Sequence, residues 1–112
     1  MARPARRAAR AAAKRPIMAV LDLITRRWAL RVIWSLRQDR LTFRALQEAC
    51  GGASPNVLSQ RLKELRAGGI VDLGAGGGYG LTPLGRDFRR AAQPMLRWSE
   101  RWARAISRRP VR

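Results

Sequence analysis

The sequence has no histidine, one cysteine and only 7 acidic residues against 24 Lys plus Arg. Each shortage removes a class of chemistry. Without histidine there is no His-containing zinc site and no Ser-His or Cys-His nucleophile system. With so few acids there is no credible general acid–base pair, so the chain is not expected to be an enzyme. A lone cysteine, Cys50, forms no intrachain disulfide, which excludes a small secreted fold stapled by bridges. The apolar runs are short, Ile17 to Leu21 being typical, and none reaches the length of a membrane span. No cofactor, metal or membrane partner is therefore expected, and the cytoplasm, with association to the nucleoid, is the default location.

What is abundant is positive charge, +17 net. Such a surplus favours phosphate polyanions. Only Lys14 and Lys63 are lysines, while Ala, Gly and Arg abound, as the codon bias of a GC-rich genome would give. That bias explains the choice of Arg over Lys but not the scarcity of acids. At 112 residues the chain is one domain with one modest core.

Residues 1–15 contain Ala, Arg, Lys and one Pro and, after Met1, no large apolar side chain, so they read as a basic flexible arm. Like a transit peptide this end is rich in Arg and free of acids, but it lacks serine and a long apolar core. Residues 16–109 read as the folded domain. Pro16 opens a first helix to about Ile24, with Val20, Leu21 and Ile24 on its apolar face. A second helix is predicted from Trp28 to about Gln38, apolar nearly all round, with Trp28 and Trp34 in the core. Thr42 caps a third helix from Phe43 to Cys50, stopped by Gly51-Gly52. Ser54 caps a fourth, with Pro55 in its first position and Val57, Leu58, Leu62 and Leu65 inward. Gly68-Gly69 ends it.

Ile70 to Leu73 and Tyr79 to Leu81 are strand candidates joined by a glycine-rich tip. Thr82-Pro83 starts a long C-terminal helix. Along it Leu84, Phe88, Ala91, Met95, Trp98, Trp102 and Ala105 form a heptad stripe, interrupted by Pro94, which should kink or split the helix near Gln93. So small a chain has little surface left to cover that stripe. Leu84, Phe88, Met95, Trp98 and Trp102 are therefore assigned to dimerisation rather than to stacking on bases.

The stretch Phe43 to Val71 thus reads as helix, turn, helix and strand. Its second helix exposes side chains that hydrogen-bond base edges and phosphates. Asn56 and Gln60 match adenine, while Arg61 and Lys63 reach guanine or phosphate. Arg44 opens the preceding helix, where such a pair crosses the backbone. The candidate contact set to double-stranded DNA is Arg44, Ser54, Pro55, Asn56, Ser59, Gln60, Arg61 and Lys63. Taken alone, the fourth helix would pass for a solvated amphipathic surface helix. Its Ser-Pro cap, the helix before it, the hairpin after it and the overall charge favour DNA.

Three blocks carry a family likeness: LDLITRRW (Leu21 to Trp28), FRALQEACGGASPNVLSQRLKELRAGGIV and YGLTPLGR (Tyr79 to Arg86). PMLRW (Pro94 to Trp98) adds to them. The chain resembles the HxlR-type winged helix-turn-helix regulators of bacteria over roughly residues 16 to 104. The resemblance implies a mainly α fold with a small β-hairpin wing, dimerised through terminal helices. It implies a homodimeric transcription factor, often a repressor, on a pseudo-palindromic operator, with the fourth helix in the major groove and the wing beside the backbone.

The chain departs from that pattern in two places. Many relatives carry a cysteine just before the Pro of the first helix, and several use it to sense oxidants or electrophiles. Here the position is Arg15, and Cys50 reads as a buried structural thiol. The wing, with Gly74, Gly76, Gly77 and Gly78, is short and has no basic residue between Gly74 and Leu81. It is either a close backbone approach to DNA or a floppy hairpin. An effector is left open, with an apolar dimer-junction pocket at Trp28 and Trp98 as its hypothetical seat. The rival reading is a nucleoid or RNA-binding protein that coats nucleic acid without sequence choice.

Overall fold

The computed structural model describes residues 15–109. Apart from Arg15, the basic arm expected over residues 1–15 lies outside the described residues. Five helices and one hairpin follow in order: α1 (Pro16–Ile24), α2 (Ala29–Ser35), α3 (Phe43–Ala49), α4 (Pro55–Ala67), β1 (Val71–Leu73), β2 (Tyr79–Leu81) and α5 (Pro83–Arg108). This is a winged helix-turn-helix, mainly α with a small antiparallel wing.

The helix starts follow from local chemistry. Thr42, Ser54 and Thr82 each sit in extended backbone, and their hydroxyls accept from Ala45, Val57 and Gly85 N–H respectively. Pro55 and Pro83 occupy first-turn positions, where no N–H is needed. In α4, Leu58, Leu62 and Leu65 recur at four and three residues and are all buried. They meet Val32 and Ile33 of α2, Leu46 and Cys50 of the α3 segment, and Val71 and Leu81 of the wing strands.

β1 and β2 pair Val71 with Leu81, Asp72 with Gly80 and Leu73 with Tyr79. Leu41, in the α2–α3 connector, bridges Tyr79 through two backbone hydrogen bonds of 3.0 and 2.8 Å, so the wing gains a third, one-residue edge.

Several expectations are corrected. The second helix does not run from Trp28 to Gln38. It spans Ala29–Ser35, because Trp28 takes a left-handed φ of 76° and Leu36 already leaves helical geometry. A left-handed non-glycine residue costs roughly 1–2 kcal/mol, so its surroundings must hold it. Trp34 is not core but 47% exposed, and Leu30 is open too, so α2 buries one face only. In α1 it is Leu23 and Ile24 that reach the core, while Val20 and Leu21 face outward. Pro94 does not split the last helix, which is continuous from Pro83 to Arg108. Phe88, assigned from the sequence to dimerisation, is partly buried against the chain's own core.

Candidate nucleic-acid interface

Burying Leu58, Leu62 and Leu65 fixes which side of α4 faces out. At 100° per residue, Asn56, Gln60 and Lys63 fall opposite that apolar triad, with Ser59 beside them, and all four are exposed. Ser54 and Pro55 are exposed at the N-terminus of α4, where free N–H groups and the helix dipole favour an anion. The Ser54 hydroxyl is already occupied as the cap of Val57, at 3.2 Å. Arg44 is exposed in the first turn of α3, on the helix leading into the turn.

Arg61 is placed differently from the sequence expectation. Its Nε donates to the Arg27 carbonyl at 2.9 Å and its Nη1 meets Glu64 at 2.6 Å, with only 17% of the side chain exposed. Glu64 also receives Gln60 Nε2 at 3.2 Å and faces Arg26 at 3.5 Å. Arg61 and Glu64 therefore latch α4 to the α1–α2 turn. That latch braces the strained Trp28, which also lies beside the guanidinium groups of Arg27 and Arg31. Helical spacing could not show this, because the acceptor is a backbone carbonyl 34 residues away.

The wing glycines divide into two kinds. Gly76 and Gly77 form an open tip where an added Cβ would meet nothing, although Gly77 holds a φ of 88° that disfavours other residues. Gly74 and Gly78 close the turn, Gly74 N–H donating to Gly78 O at 2.8 Å, and both lie against Arg40. Arg40 donates to Gly78 O at 3.0 Å and pairs with Asp72 at 2.6 Å. The wing is thus not the loose hairpin that its composition suggests.

Cys50 is fully buried, 3.8 Å from the Ser35 hydroxyl. Desolvation raises its pKa, against smaller lowering effects from the Ser35 contact and the Arg31 charge. That is the setting of an inert thiol.

The terminal helices carry the largest apolar exposure. Met95 is 64%, Trp98 53% and Trp102 52% exposed, and the two tryptophan rings stack on each other at 6.5 Å. Leu84, Leu96 and Ile106 on α5, and Ile17, Met18, Val20 and Leu21 on α1, are also open. An apolar-lined groove of about 870 Å³ runs between α1, α4 and α5, past Val20, Leu23, Leu84 and Phe88 to Gln60 and Lys63. Neither Trp28 nor Trp98 lines it, so it is not the effector seat expected from the sequence. Among the described residues there is no group of His, Cys, Asp and Glu suited to a metal and no helix long and apolar enough to cross a membrane.

Comparison with known proteins agrees with this arrangement. The HxlR-like helix-turn-helix family model matches residues 23–107. The HTH-type transcriptional regulator YvaP of Bacillus subtilis is 26% identical over 88 residues, 73% of this chain and 82% of that protein. The solved structure of quinone-bound YodB from B. subtilis is similar with a TM-score of 0.73 at 26% identity, covering 78% of this chain and 97% of that one. A possible HxlR family transcription factor from Thermoplasma volcanium is similar with a TM-score of 0.67 at 28% identity, covering 76% and 82%. Matched over most of its length, the chain belongs to the HxlR-like helix-turn-helix family of DNA-binding transcriptional regulators.

Proposed function

We propose that this regulator binds a pseudo-palindromic operator as a homodimer, reads bases with α4 and acts as a repressor. The observation that carries the reading is the exposed row Asn56, Ser59, Gln60 and Lys63, set opposite the buried leucines of α4. Asn56 and Gln60 present amides suited to adenine, and Lys63 adds charge at the same face. Arg44 and the N-terminus of α4 at Ser54 and Pro55 address phosphates. Arg61 is assigned to bracing α4 instead of to DNA.

The exposed apolar surface of α5 and α1 supports a second copy as its cover. A twofold dimer would present two α4 helices to half-sites about 10 bp, or a multiple of that, apart. The location that fits this role is the cytoplasm, with the protein on the nucleoid. YodB is bound to a quinone in its structure; in this chain an effector, if one binds, finds Arg15 rather than a cysteine ahead of α1.

Footprinting on the protein's own upstream region tests the reading. The expected result is protection of two related half-sites, with Gln60→Ala blunting discrimination among operator variants. Lys63→Ala and Arg44→Ala should weaken every duplex and flatten the salt dependence. Equal binding of upstream and random DNA at all salt concentrations would overturn sequence-specific reading in favour of non-specific coating.

A further inference from the structure

The wing strands and tip contain no basic residue, yet a guanidinium lies on them. Register explains how. Leu41 bridges Tyr79, which places Arg40 beside Gly80, and Gly80 pairs with Asp72 on the next strand. Side chains at those three positions share one face of the small sheet. Because the middle position is glycine, Arg40 crosses it and reaches Asp72. A Cβ at Gly80 would stand 2.9 Å from the Cγ, Cζ and Nη1 atoms of Arg40, and at Gly74 3.2 Å from Nη1. The glycines that make the wing look featureless therefore form a trough for one arginine.

That arginine is not used up. The Gly78 carbonyl and Asp72 take two of the five N–H donors of a guanidinium, and the side chain remains 49% exposed. Asp72 Oδ1 lies buried beneath it with no other partner among the described residues. Beside Arg40 is a cleft of about 110 Å³ that Arg37 and Arg86 also line, with Asp39 its one acid. Arg37 and Arg86 are held in place by donating to the carbonyls of Trp34 and Leu81, each at 2.9 Å.

We propose that Arg40, delivered by the α2–α3 connector, is the wing's contact to a backbone phosphate of the DNA duplex, with Asp72 holding its guanidinium in position until the phosphate arrives. This rests on the DNA-binding reading above and adds a contact to it. The Asp72 carboxylate repels a phosphate brought to the remaining donors of Arg40, so removing the Asp72 charge strengthens binding and removing Arg40 weakens it. A residue that only pins the hairpin behaves otherwise, because loss of either partner then loosens the wing.

The test is a salt titration of binding by the full chain to a labelled duplex from its own upstream region and to a random duplex, with circular dichroism confirming the helix content of each variant. Arg40→Ala is expected to reduce the salt slope by about 0.9 per subunit on both duplexes. Arg40→Lys keeps the slope, and Asp72→Asn binds more tightly than wild type at unchanged or steeper slope. Gly80→Ala, which pushes Arg40 off the trough, should follow Arg40→Ala. Equal weakening by Asp72→Asn and Arg40→Ala, with the wild-type slope intact in both, would overturn the assignment while leaving DNA binding standing. Failure of the wild-type chain to bind either duplex would overturn both.

Discussion

Two regions of this small chain treat apolar residues in opposite ways. The centre, made of α2, α3, α4 and the wing strands, closes on itself, with Val32, Leu46, Leu58, Leu62 and Leu65 essentially without solvent contact. The terminal layer does not close. In the 26 residues of α5 only Gly85 is buried, and α1 buries only Ile24. Both regions are rich in large side chains, so hydrophobicity alone does not separate them. What separates them is whether a neighbour among the described residues covers the face. Unused apolar surface of this extent marks a site for another molecule. The centre therefore sets the fold and aims α4, while the terminal layer offers the surface on which the proposed dimer would form.

The sharpest way to break this comparison is to damage the centre. Leu62→Ala removes a side chain that is 2% exposed, at the junction of α4 with α2 and the core. The expected loss is about 2–5 kcal/mol in urea unfolding, from lost transfer energy plus the residual cavity. A loss under about 1 kcal/mol would mean that the site collapses freely and that the centre is not the rigid half.

Damage to the terminal layer should behave differently. Trp98→Ala with Trp102→Ala is expected to leave the helical signal intact and to shift sedimentation from dimer to monomer. If the stacked pair sits at the centre of the interface, its loss weakens association by at least about 2 kcal/mol, roughly 30-fold. An unfolded double variant would show instead that these rings serve their own subunit. Unchanged association would place the dimer contact elsewhere.

Smaller effects sharpen the contrast at the helix starts. Ser54→Ala removes one cap hydrogen bond and should cost about 1 kcal/mol. Thr82→Ala should cost more, because Thr82 Oγ1 caps Gly85 and also donates back to the Gly69 carbonyl, tying α5 to the end of α4. Urea midpoints of the two variants give the comparison. Equal costs would mean that the tie to Gly69 adds nothing.

Much of this is legible in the sequence because the informative signals are local. Ser54-Pro55 and Thr82-Pro83 announce their helices within four residues, and the spacing of Leu58, Leu62 and Leu65 announces a buried face. Composition points to nucleic acid, and the three sequence blocks point to the family. What escapes is non-local. Arg40 reaches the wing across 38 residues of sequence, and Arg61 reaches Arg27 across 34. A basic side chain on an exposed-looking helix face carries no mark of an inward partner. Apolar periodicity puts Trp34 in the core, but the apolar core takes up only the Ala29, Val32 and Ile33 face of α2, and the Trp34 ring stays exposed beside the guanidinium groups of Arg37 and Arg89. Pro94 predicts a kink or a split. The missing N–H and the ring cost the helix something there, but the helix of 26 residues continues through it.

The smallest effect concerns Cys50, and it asks whether the closed centre holds any switch. The thiol is buried and its pKa is raised by desolvation, so at neutral pH it is protonated in folded and unfolded chains alike and contributes no pH dependence. The sign follows from the direction of the shift. Above the ordinary cysteine range, near about 8.5, the unfolded chain ionises first while the folded chain still holds its proton. Stability supplied by the neutral thiol is therefore present below that range and lost as pH rises through the folded value. Urea unfolding across alkaline pH should show a larger drop in wild type than in Cys50→Ala, since all other titrating groups are shared. Native protein should also resist a thiol reagent until it unfolds. Labelling of folded protein at the rate of a free thiol would place a reactive cysteine at the core of the domain. Retained resistance leaves the closed centre without a thiol switch.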